Sequence, residues 1–340
     1  MPDKRYLLGM TMDELRLIAG ECLLPKFAAK QIADWIYKKK VASIDEMTNI
    51  SVAGRESLAE KFDVGRVAPV EWQTSADGTV KYLFGAGKTD FIESVMIPDY
   101  DRKTLCISTQ IGCKLGCLFC MTGKQGFSGN LTSNEILNQI YSVSESDELT
   151  NVVFMGMGEP LDNYEELKKV LEIITSDYGM AWSPKRVTVS TTGILPKLKL
   201  FLDESNAHLA ISIHSADIQQ RRTIMPVEKA CSIADIVSLL RQYDWAKQRR
   251  LSFEYVMFDG FNDSIEHAKK LVSLIRGLPC RVNLIRFHAI PDVDLKTSSQ
   301  TQMEIFRDYL NSKGITSTIR TSRGEDIFAA CGMLSTQKKN

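Results

Sequence analysis

Net charge, long apolar runs and a dinucleotide fingerprint are all missing from this chain, and each absence removes a class of function. In 340 residues, 42 Lys and Arg are matched by 42 Asp and Glu. Bulk charge therefore neither signals nor excludes a nucleic-acid partner, and any phosphate-binding face has to be a local patch. No run approaches the roughly 18 apolar residues of a membrane span. The start, Met-Pro-Asp-Lys-Arg-Tyr-Leu-Leu-Gly, carries no apolar core or cleavage site of an export signal. A cytoplasmic protein without a membrane partner is expected. No Gly-x-Gly-x-x-Gly follows the first strand of the strand-helix section, which argues against a dinucleotide fold.

A fourth ligand is missing too. Cys113, Cys117 and Cys120 lie in Cys-Lys-Leu-Gly-Cys-Leu-Phe-Cys, and no matching pair of cysteines or histidines stands nearby to complete a structural zinc site. Neither is there a His-x-Glu beside a Cys-x2-Cys pair, as in the zinc deaminases. Gly112 and Gly116 give the loop backbone freedom to wrap a centre. A cubane of four irons suits three thiolates, each taking one iron and leaving the fourth without a protein ligand. Catalytic zinc with three thiolates and a water, or three core cysteines, remain as readings of the spacing alone. The chain has eight cysteines, and in a cytosolic protein these are ligands, redox groups and core residues before they are a disulfide framework. Cys22, Cys231 and Cys280 read as small buried hydrophobes.

The remaining 44% apolar content can bury a large core, arranged in successive textures. Residues 1–65 are helical by periodicity, over Met12 to Ala19, Phe27 to Tyr37 and Val52 to Phe62. Residues 66–100 alternate as short strands around Val80 to Phe84 and Phe91 to Ile97. Beyond them strands and helices alternate, with strands at Thr104 to Ser108, Asn151 to Met155, Arg186 to Ser190, His208 to Ile213, Leu251 to Met257 and Val282 to Phe287. That rhythm is α/β with a parallel sheet, either doubly wound or a partial barrel. Capping boxes are expected at Thr132 with Glu135 and at Asp263 with Glu266, and Gly277 closes the second helix.

In barrels the functional groups gather at the carboxyl ends of strands, and the cysteine loop follows the first strand. The other strand ends carry Met155-Gly-Met-Gly-Glu-Pro, Ser190-Thr-Thr-Gly, Ser212-Ile-His-Ser and Phe287-His288. Glu159 in the first of these can accept charged hydrogen bonds from an ammonium group. Each singly is a turn, a cap or a satisfied histidine; together they form a set.

From Cys106 to Asn130, and with lesser density along nearly the whole chain, the sequence resembles the radical S-adenosylmethionine (SAM) enzymes of the RlmN/Cfr family. The resemblance implies a partial (β/α)6 radical-SAM barrel over 101–298. Around it would lie an accessory RNA-binding domain at 1–65, a β connector at 66–100 and a carboxyl-terminal extension at 299–340. It implies one 4Fe-4S cluster on Cys113, Cys117 and Cys120, and SAM, two molecules per turnover, held by Gly158, Glu159, Ser190, Ser212, Ile213, His214 and His288. At His288 many relatives carry Asn. Cys331 matches the methyl-accepting cysteine, Cys106 the second catalytic cysteine and Glu93 a proton acceptor, although Glu93 also reads as a charge in an edge strand.

The implied reaction passes through S-methylcysteine and a transient Cys106–Cys331 disulfide. Its substrates would be carbon-2 of an adenine in 23S rRNA and an adenine next to the anticodon of some tRNAs. The partners would be a flavodoxin- or ferredoxin-type electron donor and a thiol reductant. Two other readings stay open: methylation of carbon-8 of the same rRNA adenine, and a non-catalytic metal-cluster protein that binds RNA. For RNA contact the candidates are Lys26, Lys30 and Lys38 to Lys40, with Trp35 and Tyr37, against the plain reading of a solvated helix with aromatics packed inward.

Overall fold

The computed structural model describes residues 4–245 and 249–335. Two short strands, β1 (Arg5–Tyr6) and β2 (Phe62–Asp63), pair in parallel and close the amino-terminal module on itself. Between them run helices Met12–Glu21, Ala28–Ala33 and Val52–Lys61. Thr11 starts the first with a reciprocal capping box to Glu14, and Ser51 caps the third. The expected helix from Phe27 to Tyr37 changes pitch at Asp34, where residues Asp34–Lys38 form a π turn that buries Ile36 and Tyr37. The Tyr141 hydroxyl donates to Tyr37 O (3.2 Å) and Asn134 Nδ2 donates to Gly65 O (2.9 Å). A Cβ on Gly9 would stand 2.5 Å from Asn134 N, so backbone meets backbone there. The module shares one continuous apolar core with the rest of the chain.

The main sheet begins with a meander of β3 (Glu71–Thr74), β4 (Val80–Ala86), β5 (Asp90–Asp99) and β6 (Arg102–Cys106). A small hairpin follows, β7 (Gln110–Gly112) with β8 (Phe127–Asn130). Then come β9 (Asn151–Phe154), β10 (Val187–Thr191), β11 (His208–Ser212), β12 (Leu251–Met257), β13 (Arg281–Arg286) and β14 (Thr316–Ile319). The sheet order is β14-β13-β12-β11-β10-β9-β6-β5-β4-β3, with β6 and β9 to β14 parallel. It stays open, with β14 and β3 as edges. Every residue of β12 is buried, as a strand covered on both faces requires.

The six expected parallel strands all form; three details change. Helix Gln300–Ser312 and β14 add a seventh parallel strand beyond residue 298. Its four residues, Thr-Ser-Thr-Ile, lack the apolar run by which the other strands were read. Nor is β5 an edge strand: it lies between β4 and β6, so Glu93 is inside the sheet. The Thr132 to Glu135 capping box forms as expected, but the later one shifts by one residue to Ser264 and His267. Asp263 is turned inward instead, where its carboxylate accepts from Ser298 Oγ at 2.5 Å.

Candidate active site

The cysteine loop springs from the β7–β8 hairpin. Cys113 N donates to Gly126 O at 2.8 Å, closing the loop's base. Gly112 makes that closure possible: its φ is +75°, and a Cβ there would lie 1.7 Å from Gly126 O. On the far side Leu118 N donates to Ile224 O, and Cys120 leads into the short helix Met121–Gln125. The three thiols line one lobe of a cleft enclosing about 950 Å³.

The carboxyl ends of β9 to β14 form the rest of that cleft. After β9, Gly158 and Glu159 face it. A Cβ on Gly156 would meet Ile107 backbone at 2.7 Å, and one on Gly158 would meet Gln110 Cβ at 2.4 Å. These glycines therefore serve close packing against the β6–β7 segment. The buried Glu159 carboxylate accepts from Thr191 Oγ1 (2.5 Å), Thr192 N (2.8 Å), Thr192 Oγ1 (3.0 Å) and Leu161 N (3.1 Å). Burial raises its pKa against these hydrogen bonds, so a cation arriving in the cleft would be welcomed.

Ser190, Ser212 and His214 also line the cleft. The buried His214 ring accepts from Val256 N through Nδ1 (3.0 Å) and packs edge-on to Phe119. Burial and then Arg221 push its pKa down to about 3, so the ring is neutral with its proton on Nε2. Ile213 and His288 are not brought to the cleft. Ile213 is wholly buried, its carbonyl accepting from Arg221 Nε (2.9 Å). Both ring nitrogens of His288 are engaged by the carboxyl-terminal segment, Nδ1 with Glu325 (3.1 Å) and Nε2 with Ser322 (3.2 Å), while the preceding Phe287 lines the wall.

Cys106 ends β6 opposite Val95, and Cys331 reaches the same place from the carboxyl-terminal segment. That segment is tethered at several points: Met121 N to Gly332 O (2.8 Å), Thr122 Oγ1 to Leu334 O (2.8 Å) and Ser335 N to Glu93 Oε2 (3.0 Å). Glu93 is also paired with Lys81 at 2.9 Å. It lines a neighbouring cleft with Met333 and Ser335, so the segment around Cys331 is a wall common to both clefts.

Near both cysteines lies Arg320, directly after β14, with Nε 3.8 Å from Glu254 Oε2. Glu254 in turn accepts from Asn283 Nδ2 (2.8 Å) and Ser252 Oγ (3.0 Å). Burial pushes Cys106 up to about 12, with Cys331 adding to it. Cys331 is an exposed residue; at its thiol, local desolvation raises the pKa against the pull of Arg320.

The sequence profile of the radical SAM superfamily matches residues 107–272, and that of the ribosomal RNA large subunit methyltransferase N-terminal domain matches 6–64. A probable dual-specificity RNA methyltransferase RlmN from Parabacteroides distasonis is 62% identical over 99% of this chain and 98% of its own length. The dual-specificity RNA methyltransferase RlmN of Nautilia profundicola is 39% identical over 99% of both chains. The chain belongs to the RlmN family. A crystal structure of a radical SAM methyltransferase from Sphaerobacter thermophilus superposes with a TM-score of 0.92 and 36% identity, covering 98% of this chain and 100% of that one.

Membership of the RlmN family brings SAM and a 4Fe-4S cluster with it, and the residues fit both. Among the described residues no three His, Cys, Asp or Glu side chains gather on a single ion. The three thiols line the same cleft and act on one another electrostatically, the donor set of a cluster bound one iron to one thiolate. Burial pushes Cys113 up to about 12 and raises Cys117 further, so their protons leave as metal arrives. The four-bonded Glu159 faces the adjoining space.

Three residues in and around this RlmN-family cleft escape sequence reading: Glu254 and Arg320, which line it, and Arg221, which is buried outside its lining. Fully buried Arg221 pairs with Glu228 and donates to Ser212 O (3.0 Å) and Thr192 O (3.4 Å), tying the ends of β10 and β11. Glu254, in the middle of an apolar strand, was the one available signal, since a lone buried carboxylate there requires a partner.

The basic helix reads differently in space. Tyr37 is buried and unavailable for stacking. Lys39 lies 3.4 Å over the Trp35 ring, whose Nε1 donates to Asn49, and Lys40 is paired with Asp147. No helix among the described residues is long and apolar enough to cross a membrane.

Proposed function

We propose that this protein is a radical SAM RNA methyltransferase that methylates carbon-2 of the peptidyl-transferase-centre adenine of 23S rRNA, and the adenine next to the anticodon of some tRNAs, through S-methylcysteine at Cys331. The observation that carries this reading is the proximity of buried Cys106 to Cys331 and Arg320, the latter two in the wall of the cleft that also holds the three-cysteine loop. The names of the relatives, dual-specificity RNA methyltransferases, support the substrate class.

Carbon-2 of adenine is electron-poor and does not attack a sulfonium methyl, so a thiol must first carry the methyl group. Held by Cys113, Cys117 and Cys120, with Glu159 and the strand ends around the open iron, the cluster and two molecules of SAM would supply one electron, the methyl group and hydrogen abstraction. Cys331 accepts the methyl as its thiolate, which Arg320 favours and local desolvation opposes. Once the methylene carbon is bonded to carbon-2 and the ring proton is lost, the adduct's unpaired electron would return to the oxidised cluster, leaving a closed-shell thioether. The Cys106 thiolate then attacks the Cys331 sulfur. The S–C bond breaks with its electron pair on the methylene carbon, which takes a proton and becomes the methyl group, and the Cys106–Cys331 disulfide is later reduced by two electrons from a thiol reductant. Glu93 takes the ring proton: burial raises its pKa despite Lys81, making it a stronger base than an exposed carboxylate. A flavodoxin- or ferredoxin-type protein serves as the one-electron donor.

Cys331→Ala is the test. The variant should retain its iron and its cleavage of SAM to 5′-deoxyadenosine and yield no methylated RNA, while wild-type product should carry the methyl on carbon-2 by mass spectrometry. Methylated RNA from the variant would overturn the two-stage route.

A further inference from the structure

The amino-terminal ends of the parallel strands, opposite the cleft, carry a row of basic residues, three of them cations and one, His208, a neutral imidazole. Lys185 precedes β10, His208 begins β11, Arg250 precedes β12 and Arg281 begins β13. Register puts them side by side, since β11 Leu209 pairs with Leu251 and β12 Ser252 pairs with Arg281. At about 4.8 Å between strands, the row spans about 14 Å. Together with Arg249, Trp245, Pro279 and Thr316 these residues line a concavity enclosing about 970 Å³.

Among the described residues, no acidic side chain pairs with Lys185, Arg250 or Arg281, whereas the chain as a whole holds equal numbers of acids and bases. Partial burial, then Arg281 and Arg102, disfavour the protonated form of Arg250. Burial, then Arg250 and Lys185, hold His208 down, and its Nδ1 accepts from Arg250 N at 2.9 Å. Residues at this end of a barrel ordinarily serve stability. Like charges gathered without counter-charges do the opposite.

We infer that this concavity is a phosphate-binding site, separate from the SAM cleft, that takes closely spaced phosphate groups across Lys185, Arg250 and Arg281. Seven-residue β12 sets the two sites about 20 Å apart, at about 3.3 Å per residue. A phosphate here therefore cannot be the reacting nucleotide's own. Two sources share the chemistry: the backbone of the bound RNA substrate, and a free oligophosphate compound. The RNA source rests on the function proposed above; phosphate binding itself does not.

The experiment uses the full chain and the variant Arg250→Gln/Arg281→Gln. Inorganic tripolyphosphate should raise the wild-type Tm saturably, by about 3 °C or more, with sodium chloride of equal ionic strength as the control. The variant should lose that shift, and its Tm without phosphate should equal or exceed that of wild type, because repulsion has been removed. RNA affinity is then followed against salt. A slope of log K on log salt reduced by about 1.5 in the variant assigns the phosphates to the RNA backbone, and an unchanged slope assigns them to a free oligophosphate. The inference is overturned if tripolyphosphate gives no saturable shift, if the variant shifts equally, or if the variant is less stable in chloride. The last result would mean that the arginines have structural partners.

Discussion

The charges named at the carboxyl end of the parallel strands have partners, whereas at the amino end Lys185, Arg250 and Arg281 have no acidic partner among the described residues. Glu159 gathers four hydrogen bonds, Glu254 faces Arg320, and Arg221 is joined to Glu228 and to strand-end carbonyls. At the other end Lys185, Arg250 and Arg281 stand together without an anion among the described residues. Paired charges hold a fixed arrangement before any ligand arrives, which is what ordered chemistry needs. Unpaired like charges raise the energy of the empty protein and are relieved by an anion. Substitutions at the two ends should accordingly differ in kind, with lost chemistry at one and shifted stability at the other.

The largest effect is expected at Gly112, where the carboxyl-end site depends on backbone geometry. Alanine there would need a φ of +75° and would put Cβ 1.7 Å from Gly126 O, so the base of the cysteine loop could not close. Gly112→Ala should reconstitute with less than about a tenth of the wild-type iron, because an unclosed loop forfeits the preorganisation of its thiols. The circular dichroism spectrum should stay close to wild type. Full iron loading would mean that the loop closes around the metal by another path.

Arg320 comes next. It is the cation nearest both reactive thiols, and its replacement by Gln leaves Glu254 without its counter-charge. Methyl transfer to Cys331, followed by the intact mass of the protein, should slow by about ten- to a hundredfold as the thiolate becomes scarcer, with Arg320→Lys recovering part of the rate. A shift confined to RNA affinity would place Arg320 in binding rather than thiol activation.

A smaller effect follows from Cys106. Burial pushes its pKa up to about 12, so at neutral pH the thiolate is rare and its fraction grows about tenfold per pH unit. Single-turnover decay of the covalent enzyme–RNA adduct should therefore quicken from pH 7 to pH 9. A flat profile would show that another group removes the thiol proton before attack.

Legibility from sequence followed the range of the interactions. The cysteine loop and Gly158-Glu159 declare themselves because their parts lie within eight residues of one another, and the fold class because strand-helix alternation repeats. Glu254, Arg320 and Arg221 are single residues whose meaning comes from strand register and from a partner far along the chain, such as Arg320 on Glu254. β14 is too short and polar to read as a strand, and the cap at Ser264 depends on Asp263 finding Ser298. His288 shows the reverse error. Its place at a strand end suggested a ligand contact, yet Ser322 and Glu325 occupy both ring nitrogens.

The amino-end row was equally invisible, since Lys185, Arg250 and Arg281 are ordinary surface cations until register aligns them, and the smallest predicted effect lies there. Arg281→Gln removes one charge from a set that includes Arg250 and has no acidic partner among the described residues to lose. An exposed cation on a mixed surface is near neutral for stability, within about 0.5 kcal/mol, and removing a paired one lowers it. Here the neighbours are like-charged, so the sign reverses: Tm in low salt should rise by about 1–2 °C, and the gain should fade as salt screens the repulsion. The same substitution in tripolyphosphate should instead lower Tm relative to wild type, because the anion then supplies the missing counter-charge. That crossing of sign distinguishes a row awaiting an anion from one merely solvated, for which both differences would vanish.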